Sequence, residues 1–257
     1  MKKYTLITGA SSGLGEIYAQ QYAQKKQNLI LVARRLDRLA LLKAKLIAQY
    51  PIDVIIFSAD LGNALALQHF INEISGYAID RLINNAGFGN SGPFADQDAS
   101  NIQQMNHVNM DALTLLCHAL IPCLKRNKPA QIINVASVAA FVSGPYMAQY
   151  YATKAYVLSF SVALREELKK DGISVSVLCP GPTQTEFFDV AYRKEPNPTV
   201  NKAMMDSKPV VQASVEGAHK AIVIPGLSNK LMVLLLKWVP RVQAAKIVAR
   251  IQEIKSN

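Results

Sequence analysis

Short apolar runs rich in β-branched residues alternate along the chain with longer stretches in which apolar residues recur at helical spacing. Seven runs predict strands, over residues 4–8, 28–33, 53–57, 81–84, 131–136, 174–178 and 221–224. Helical spacing predicts helices over 13–25, 35–49, 64–75, 101–125 and 150–170. The strands are apolar on both faces, and right-handed crossovers lay helices over each face of a parallel sheet. The pattern therefore predicts a doubly wound α/β fold of about seven strands, as a single domain over 1–257. In such sheets ligands bind beyond the carboxyl ends of the strands, so the residues that follow each strand carry the candidate chemistry. A Pro-punctuated segment after the sixth strand predicts a substrate-covering loop region over 186–220, and a basic amphipathic tail follows over 228–257.

Composition narrows the class. Half of the 257 residues are hydrophobic and 18% are charged, which supports a sizeable core and excludes a disordered chain. Lys and Arg number 28 against 18 Asp and Glu, and from residue 191 onward 11 basic residues face 4 acidic ones, so +7 of the formal +10 lies in the last quarter. Cys117, Cys123 and Cys179 show no metal-ligand spacing and lie in apolar runs, which predicts buried, reduced thiols and a cytoplasmic setting. The four histidines are scattered without ligand spacing, so no metal site is expected. Residues 1–5 run directly into a strand pattern without a signal core. The longest late apolar run, 231–236, falls well short of the roughly 20 residues that a membrane span requires, so no spanning helix is expected.

The first strand ends in TGASSGLG, Thr8 to Gly15, and continues as a helix pattern. Gly9, Gly13 and Gly15 allow a sharp turn and a close backbone approach, while the helix N-terminus offers free N–H groups to an anion such as a pyrophosphate. Further on come NNAG at Asn84 to Gly87, Asn109 in the long central helix, Ser137 after the fifth strand, YYATK at Tyr150 to Lys154, and Pro180–Gly181 after the sixth strand. Tyr150 and Lys154 are one helical turn apart, so their side chains can converge. An ammonium about 4 Å from a phenol, at an effective dielectric near 20, favours the phenolate by about 4 kcal/mol, or about three pK units. Tyr151, three residues from Lys154, is the local rival.

This ordered set resembles the short-chain dehydrogenase/reductase family, in its single-domain Rossmann branch, over residues 4 to about 187. The resemblance implies that Ser137 holds the substrate oxygen, Tyr150 transfers a proton, Lys154 also binds the nicotinamide ribose, and Asn109 holds a water linking Lys154 to solvent. It implies a dinucleotide held by Gly9, Ser11, Ser12, Gly13, Leu14 and Gly15, by Asp60 and Leu61 at the adenine, by Asn85, Ala86 and Gly87 at the adenosine ribose, and by Pro180, Gly181 and Thr185 at the nicotinamide. It also implies a dimer or tetramer. An acid at the end of the second strand would repel a ribose phosphate, but that position holds Ala33, followed by Arg34 and Arg35, whose guanidinium forks suit phosphate. NADP is therefore expected over NAD.

Phe88, Val138, Pro145, Tyr146, Phe187 and Phe188 predict an apolar surrounding for the reacting carbon, and hence a lipophilic carbonyl or secondary alcohol. The expected function is NADP-dependent oxidoreduction. An epimerase or dehydratase on the same scaffold, or a dinucleotide sensor without turnover, stays open as the alternative. In the tail, Val242, Ile247, Ile251 and Ile254 are read as one side and Arg241, Lys246 and Arg250 as another. Subunit or core packing is the commoner use of such a helix, and peripheral contact with anionic lipid is the rival. The basic residues lack interleaved aromatics, so nucleic acid is not expected.

Overall fold

The structure, a computed structural model, describes residues 2–192 and 204–253. Its seven strands are β1 (Lys3–Thr8), β2 (Asn28–Ala33), β3 (Val54–Ser58), β4 (Ala78–Asn84), β5 (Ala130–Val135), β6 (Ile173–Leu178) and β7 (Ile222–Val223). They form one parallel sheet in the order β3-β2-β1-β4-β5-β6-β7. The order reverses between β1 and β4, which opens a crevice at their carboxyl ends, the switch point of a Rossmann fold.

Helices cover both faces because each strand is apolar on both sides. Leu6, Ile30, Val32, Leu82, Ile132 and Val175 pack with α3 (Ala64–Ile74), α5 (Leu113–Arg126) and α6 (Ala148–Leu168). Their sequence neighbours Ile7, Leu29, Leu31, Ile83 and Ile133 pack on the other face with α1 (Gly13–Gln24) and α2 (Leu36–Gln49). Alternate residues of the same strands thus feed two cores, at about 1.5–3 kcal/mol for each large side chain taken from water.

Three differences from the sequence expectations affect the site. The long central helix is not continuous: α4 (Ala99–Asn106) passes through a π-helical turn, His107–Ala112, before α5 begins. This stretch, Ala99–Arg126, is by length and composition apolar enough to cross a bilayer, against the expectation that no such helix exists. Its Met105, Leu113, Leu116, Leu120 and Leu124 are buried, so its apolarity is that of a core helix packed on the sheet.

The expected substrate loop over 186–220 contains the short helix α7 (Phe187–Tyr192), and residues 193–203 of it lie outside the described residues. Its last part does not cover the site. It forms α8 (Ser207–Glu216), which packs on α1 through a buried hydrogen bond from the Tyr18 hydroxyl to Ser214 Oγ at 2.5 Å. The tail forms α9 (Leu227–Leu236) and α10 (Arg241–Glu253). The side of α10 turned inward is Ala244 with Val248, while Val242 and Ile247 stand exposed beside Lys246 and Arg250, so the apolar side read from the sequence is not the buried side. Ile254 lies outside the described residues.

Candidate active site

At the end of β1 the chain turns through Gly9, whose φ of +65° suits a residue without a side chain. A Cβ on Gly15 would stand 2.2 Å from Gly9 O, so the helix can start this close to the strand only with glycine there. Thr8 fastens the opposite wall: its Oγ1 accepts from the backbone N–H groups of Asn85 and Ala86 at 3.0 and 2.9 Å. Asn85 Nδ2 donates to Thr8 O at 2.9 Å, so this side chain holds the turn rather than pointing outward. Ser12 begins α1, yet its hydroxyl does not cap the helix, and the first-turn N–H groups of Gly13, Leu14 and Gly15 have no side-chain cap. Thr185 closes in on Gly13, its Cβ 3.2 Å from where a side chain there would begin. The uncapped helix start beside the glycine turn offers free N–H groups of the kind that bind a pyrophosphate.

Arg35 lies over the same turn. Its guanidinium donates to Ser11 Oγ at 3.2 Å, to Ser12 Oγ at 2.7 Å and to Glu186 Oε2 at 2.8 Å. Arg38 also bonds Glu186. Arg35, and Arg38 with it, hold the Glu186 carboxyl below the usual carboxylate range. Arg34 is exposed, and its backbone carbonyl accepts from Ser58 Oγ at 3.1 Å. Asp60 follows β3 and uses Oδ1 to accept from the N–H of Gly62 at 3.0 Å, beside the buried Leu61.

Beyond β5, Ser137 caps a short 3-10 turn, Val138–Phe141, accepting from Ala139 N at 3.1 Å and donating to Pro180 O at 3.4 Å. That bond ties it to the Pro180–Gly181 turn after β6. Tyr150 and Lys154 both lie on the buried side of α6, with the ammonium 5.8 Å from the Tyr150 ring centroid. Lys154 Nζ donates to Val135 O at 2.9 Å, and burial pulls its pKa from 10.5 down to about 8. Tyr151 points elsewhere: its hydroxyl accepts from Gln252 Nε2 of α10 at 3.0 Å. The geometry therefore pairs Lys154 with Tyr150.

Asn109 sits in the π-helical turn and is buried. Its amide bonds the Phe88 backbone in both directions, at 3.1 and 3.0 Å, and donates to Thr153 Oγ1 at 3.0 Å. Gly87 lies between this amide and Lys154: a Cβ on it would be 3.0 Å from Asn109 Oδ1 and 3.3 Å from Lys154 Nζ. Sequence reasoning missed Thr8, Arg38, Thr153 and Glu186. Thr8 and Thr153 stood inside motifs already singled out, whereas the Arg35–Glu186–Arg38 cluster joins segments distant in the chain and had no local signal.

The substrate side is apolar. Phe187 lies 5.1 Å from the Tyr150 ring, centroid to centroid, and the two crowd Gly89 together with Met147. Phe88 packs against the same cluster. A groove of about 370 Å³ opens beside it, lined by Val142, Gly144, Pro145, Ala148 and Tyr151. Tyr146, next in sequence to Pro145, has a φ of +63°, an uncommon backbone conformation for a bulky residue and one that concentrates at functional sites.

Comparison with known proteins agrees with this arrangement. A family model described as short chain dehydrogenase matches residues 3–196. The chain is 35% identical over 206 residues to an 11-beta-hydroxysteroid dehydrogenase of Pinus massoniana, covering 76% of this chain and 57% of that one. It is 31% identical over 176 residues to a very-long-chain 3-oxoacyl-CoA reductase of Coprinopsis cinerea, covering 67% of this chain and 52% of that one. The chain thus spans little more than half the length of these curated relatives. Among solved structures, a short-chain dehydrogenase from Sphingobium yanoikuyae in complex with NADPH is 33% identical, with a TM-score of 0.83, covering 96% of this chain and all of that one.

Proposed function

The chain belongs to the short-chain dehydrogenase family, and on that premise we propose that it is an NADP-dependent oxidoreductase acting on a lipophilic carbonyl or secondary alcohol. The observation that carries this reading is the buried Lys154 ammonium beside the Tyr150 ring, on one helix face at the carboxyl ends of β4 and β5. When bound, the nicotinamide supplies the hydride in reduction and takes it in oxidation. Ser137 holds the substrate oxygen, and Tyr150 gives that oxygen its proton during reduction or removes it during oxidation. Lys154 lowers the cost of the phenolate left on Tyr150. Asn109 fixes the backbone at Phe88, and through Thr153 the helix that bears both residues.

The choice of NADP rests on Arg35, which already gathers the Ser11 and Ser12 hydroxyls, and on Ala33 where an acid would repel phosphate. Arg35 and Arg38 both pair with the Glu186 carboxylate, so a ribose phosphate would compete with it for these guanidinium groups. The NADPH complex of the Sphingobium relative supports the same choice. A lipophilic substrate is supported by the Phe88, Met147 and Phe187 lining and by relatives named for steroid and very-long-chain acyl substrates. Exposed Leu115, Tyr156 and Val162 on α5 and α6 offer a surface for a homo-oligomer.

The test is loss of NADPH absorbance against a panel of ketones and aldehydes, with NADH in parallel. Turnover of bulky apolar carbonyls with NADPH is expected. Tyr150→Phe lowers it by about 10² or more while coenzyme still binds, and Tyr151→Phe does not. Turnover of small charged carbonyls alone, or equal use of NADH, would overturn the corresponding part of the reading.

A further inference from the structure

Among the described residues, α9 inverts the usual burial pattern of a surface helix. Leu227, Leu231, Leu234 and Leu235 are exposed, as is Trp238 in the turn that follows. At about 100° per residue, positions 227, 231, 234 and 238 fall within roughly 60° of one another, and 235 borders them, so they form one outward stripe. Leu227 and Trp238, at its two ends, are 82% and 84% exposed. The inward side carries Val233 and a polar residue, Asn229. Asn229 Nδ2 donates to Pro225 O at 2.9 Å, and the side chain fills the space that a Cβ on Gly181 would need. The polar residue therefore anchors the helix and the leucines face out.

The second helix repeats the theme: α10 turns Val242 and Ile247 to solvent beside Lys246 and Arg250. From Gly226 to the end of α10 the chain carries Lys230, Lys237, Arg241, Lys246 and Arg250 against one acid, Glu253, a net +4 of the formal +10.

A contiguous apolar stripe in water marks a contact surface, and its charge identifies the contact. A second copy across a two-fold axis would set five cations against the same five, with Glu253 as the one acid in the segment to pair them. Leucines and a tryptophan rimmed by Lys and Arg match what an anionic lipid surface takes up, the apolar side chains entering the acyl boundary and the cations meeting the headgroups. We propose that α9, the Trp238 turn and α10 form a docking surface for an anionic membrane leaflet. The inference goes beyond the reading of the active site and does not depend on it.

Trp238 is the chain's only tryptophan, so its fluorescence reports the contact directly. The full chain would be floated with phosphatidylcholine vesicles and with vesicles in which a third of the lipid is phosphatidylglycerol. Flotation with the anionic vesicles alone, a blue shift of Trp238 emission on adding them, and release by high salt are expected. Lys230→Gln with Lys237→Gln should lower vesicle binding about 25-fold, since each cation near an anionic leaflet contributes roughly fivefold. Leu231→Glu should abolish the blue shift. Both variants alter exposed side chains, so their thermal unfolding should match that of the parent chain. The proposal is overturned if anionic vesicles float no protein, if neutral vesicles float as much, or if the blue shift follows protein concentration without lipid, which would mean that a second copy covers the stripe.

Discussion

Replacing Lys154 by methionine tests whether the site is kept at a cost to the fold. Lys154 is 5% exposed, and no carboxylate is among the groups that shift its pKa. In the unfolded chain the amine keeps its proton up to pH 10.5, whereas in the folded chain burial releases it from about 8. Between those values the unfolded state binds more protons than the folded one, so stability climbs with pH across that window. The cost is fully present below pH 8 and relieved above 10.5, and at about 1.4 kcal/mol per unit it amounts to about 3 kcal/mol. Methionine keeps much of the stem and removes the charge, while the bond to Val135 O, worth about 1 kcal/mol, is lost. The net expectation is a gain of about 2 kcal/mol at pH 7, a rise in Tm of roughly 4–8 °C, shrinking to nothing or reversing by pH 10.5. Thermal or urea unfolding of both chains without coenzyme, at pH 7 and pH 10, measures it. Taking the difference between the two chains cancels buried phenols such as Tyr22, which burial pushes up to about 12. A Lys154→Met chain less stable than its parent at pH 7, or a difference independent of pH, would refute the reasoning. The same variant should lose turnover, since stability and activity pull in opposite directions at a buried, uncompensated charge.

The nucleotide end yields two further predictions, both read by coenzyme-binding titration rather than by turnover. Arg35→Ala should weaken NADPH binding by roughly 10² and leave NADH nearly unchanged, as expected for loss of a charge-assisted phosphate contact; equal losses for both would mean that Arg35 serves only the turn. Gly15→Ala should abolish binding of both coenzymes, because its Cβ would collide with Gly9 O and force the turn open, and retained affinity would show that the turn can rearrange.

Much of the sheet could be read from pattern alone because each strand is apolar on both faces and each is bounded by turn residues. β2 and β6 lie within one residue of their predicted limits, while β4 starts three residues earlier, at Ala78, because the buried Ala78 and Ile79 extend the pairing with β1. The helix α8 was hidden by Pro209, read as loop punctuation. Pro209 in fact sits in the first turn behind the Asp206 cap, where its missing N–H costs nothing. The Glu186 contacts were illegible for a different reason: pairing an acid with Arg35 and Arg38, about 150 residues away in sequence, depends on the tertiary crossing of the α7 segment over the β1 turn. The outward leucines of α9 could be counted from the sequence, but the side facing water was fixed by Asn229 and the Pro180–Gly181 turn, a contact no periodicity contains.

The motif residues also converge because a row of buried amides registers α6 against the sheet. Asn84 Nδ2 on β4 donates to Asn134 Oδ1 on β5 at 3.0 Å, and Asn134 Nδ2 donates to Ser161 Oγ on α6 at 2.9 Å. Ser161 in turn donates to Val157 O at 2.6 Å. Apolar residues at these three positions could bury as much surface, but they would tolerate a helix that slides or rotates. A slid helix would leave buried amides without partners, at about 1–3 kcal/mol each, so the polar row penalises every register but one. Two and three turns earlier on the same helix are Lys154 and Tyr150, and Thr153 between them is held by Asn109 from the π-helical turn. The helix is thus pinned from β4 and β5 at one point and from the α4–α5 bend at another. This two-point attachment lets the Lys154 ammonium stay buried next to a phenol ring, where a single anchor would let it swing out to water.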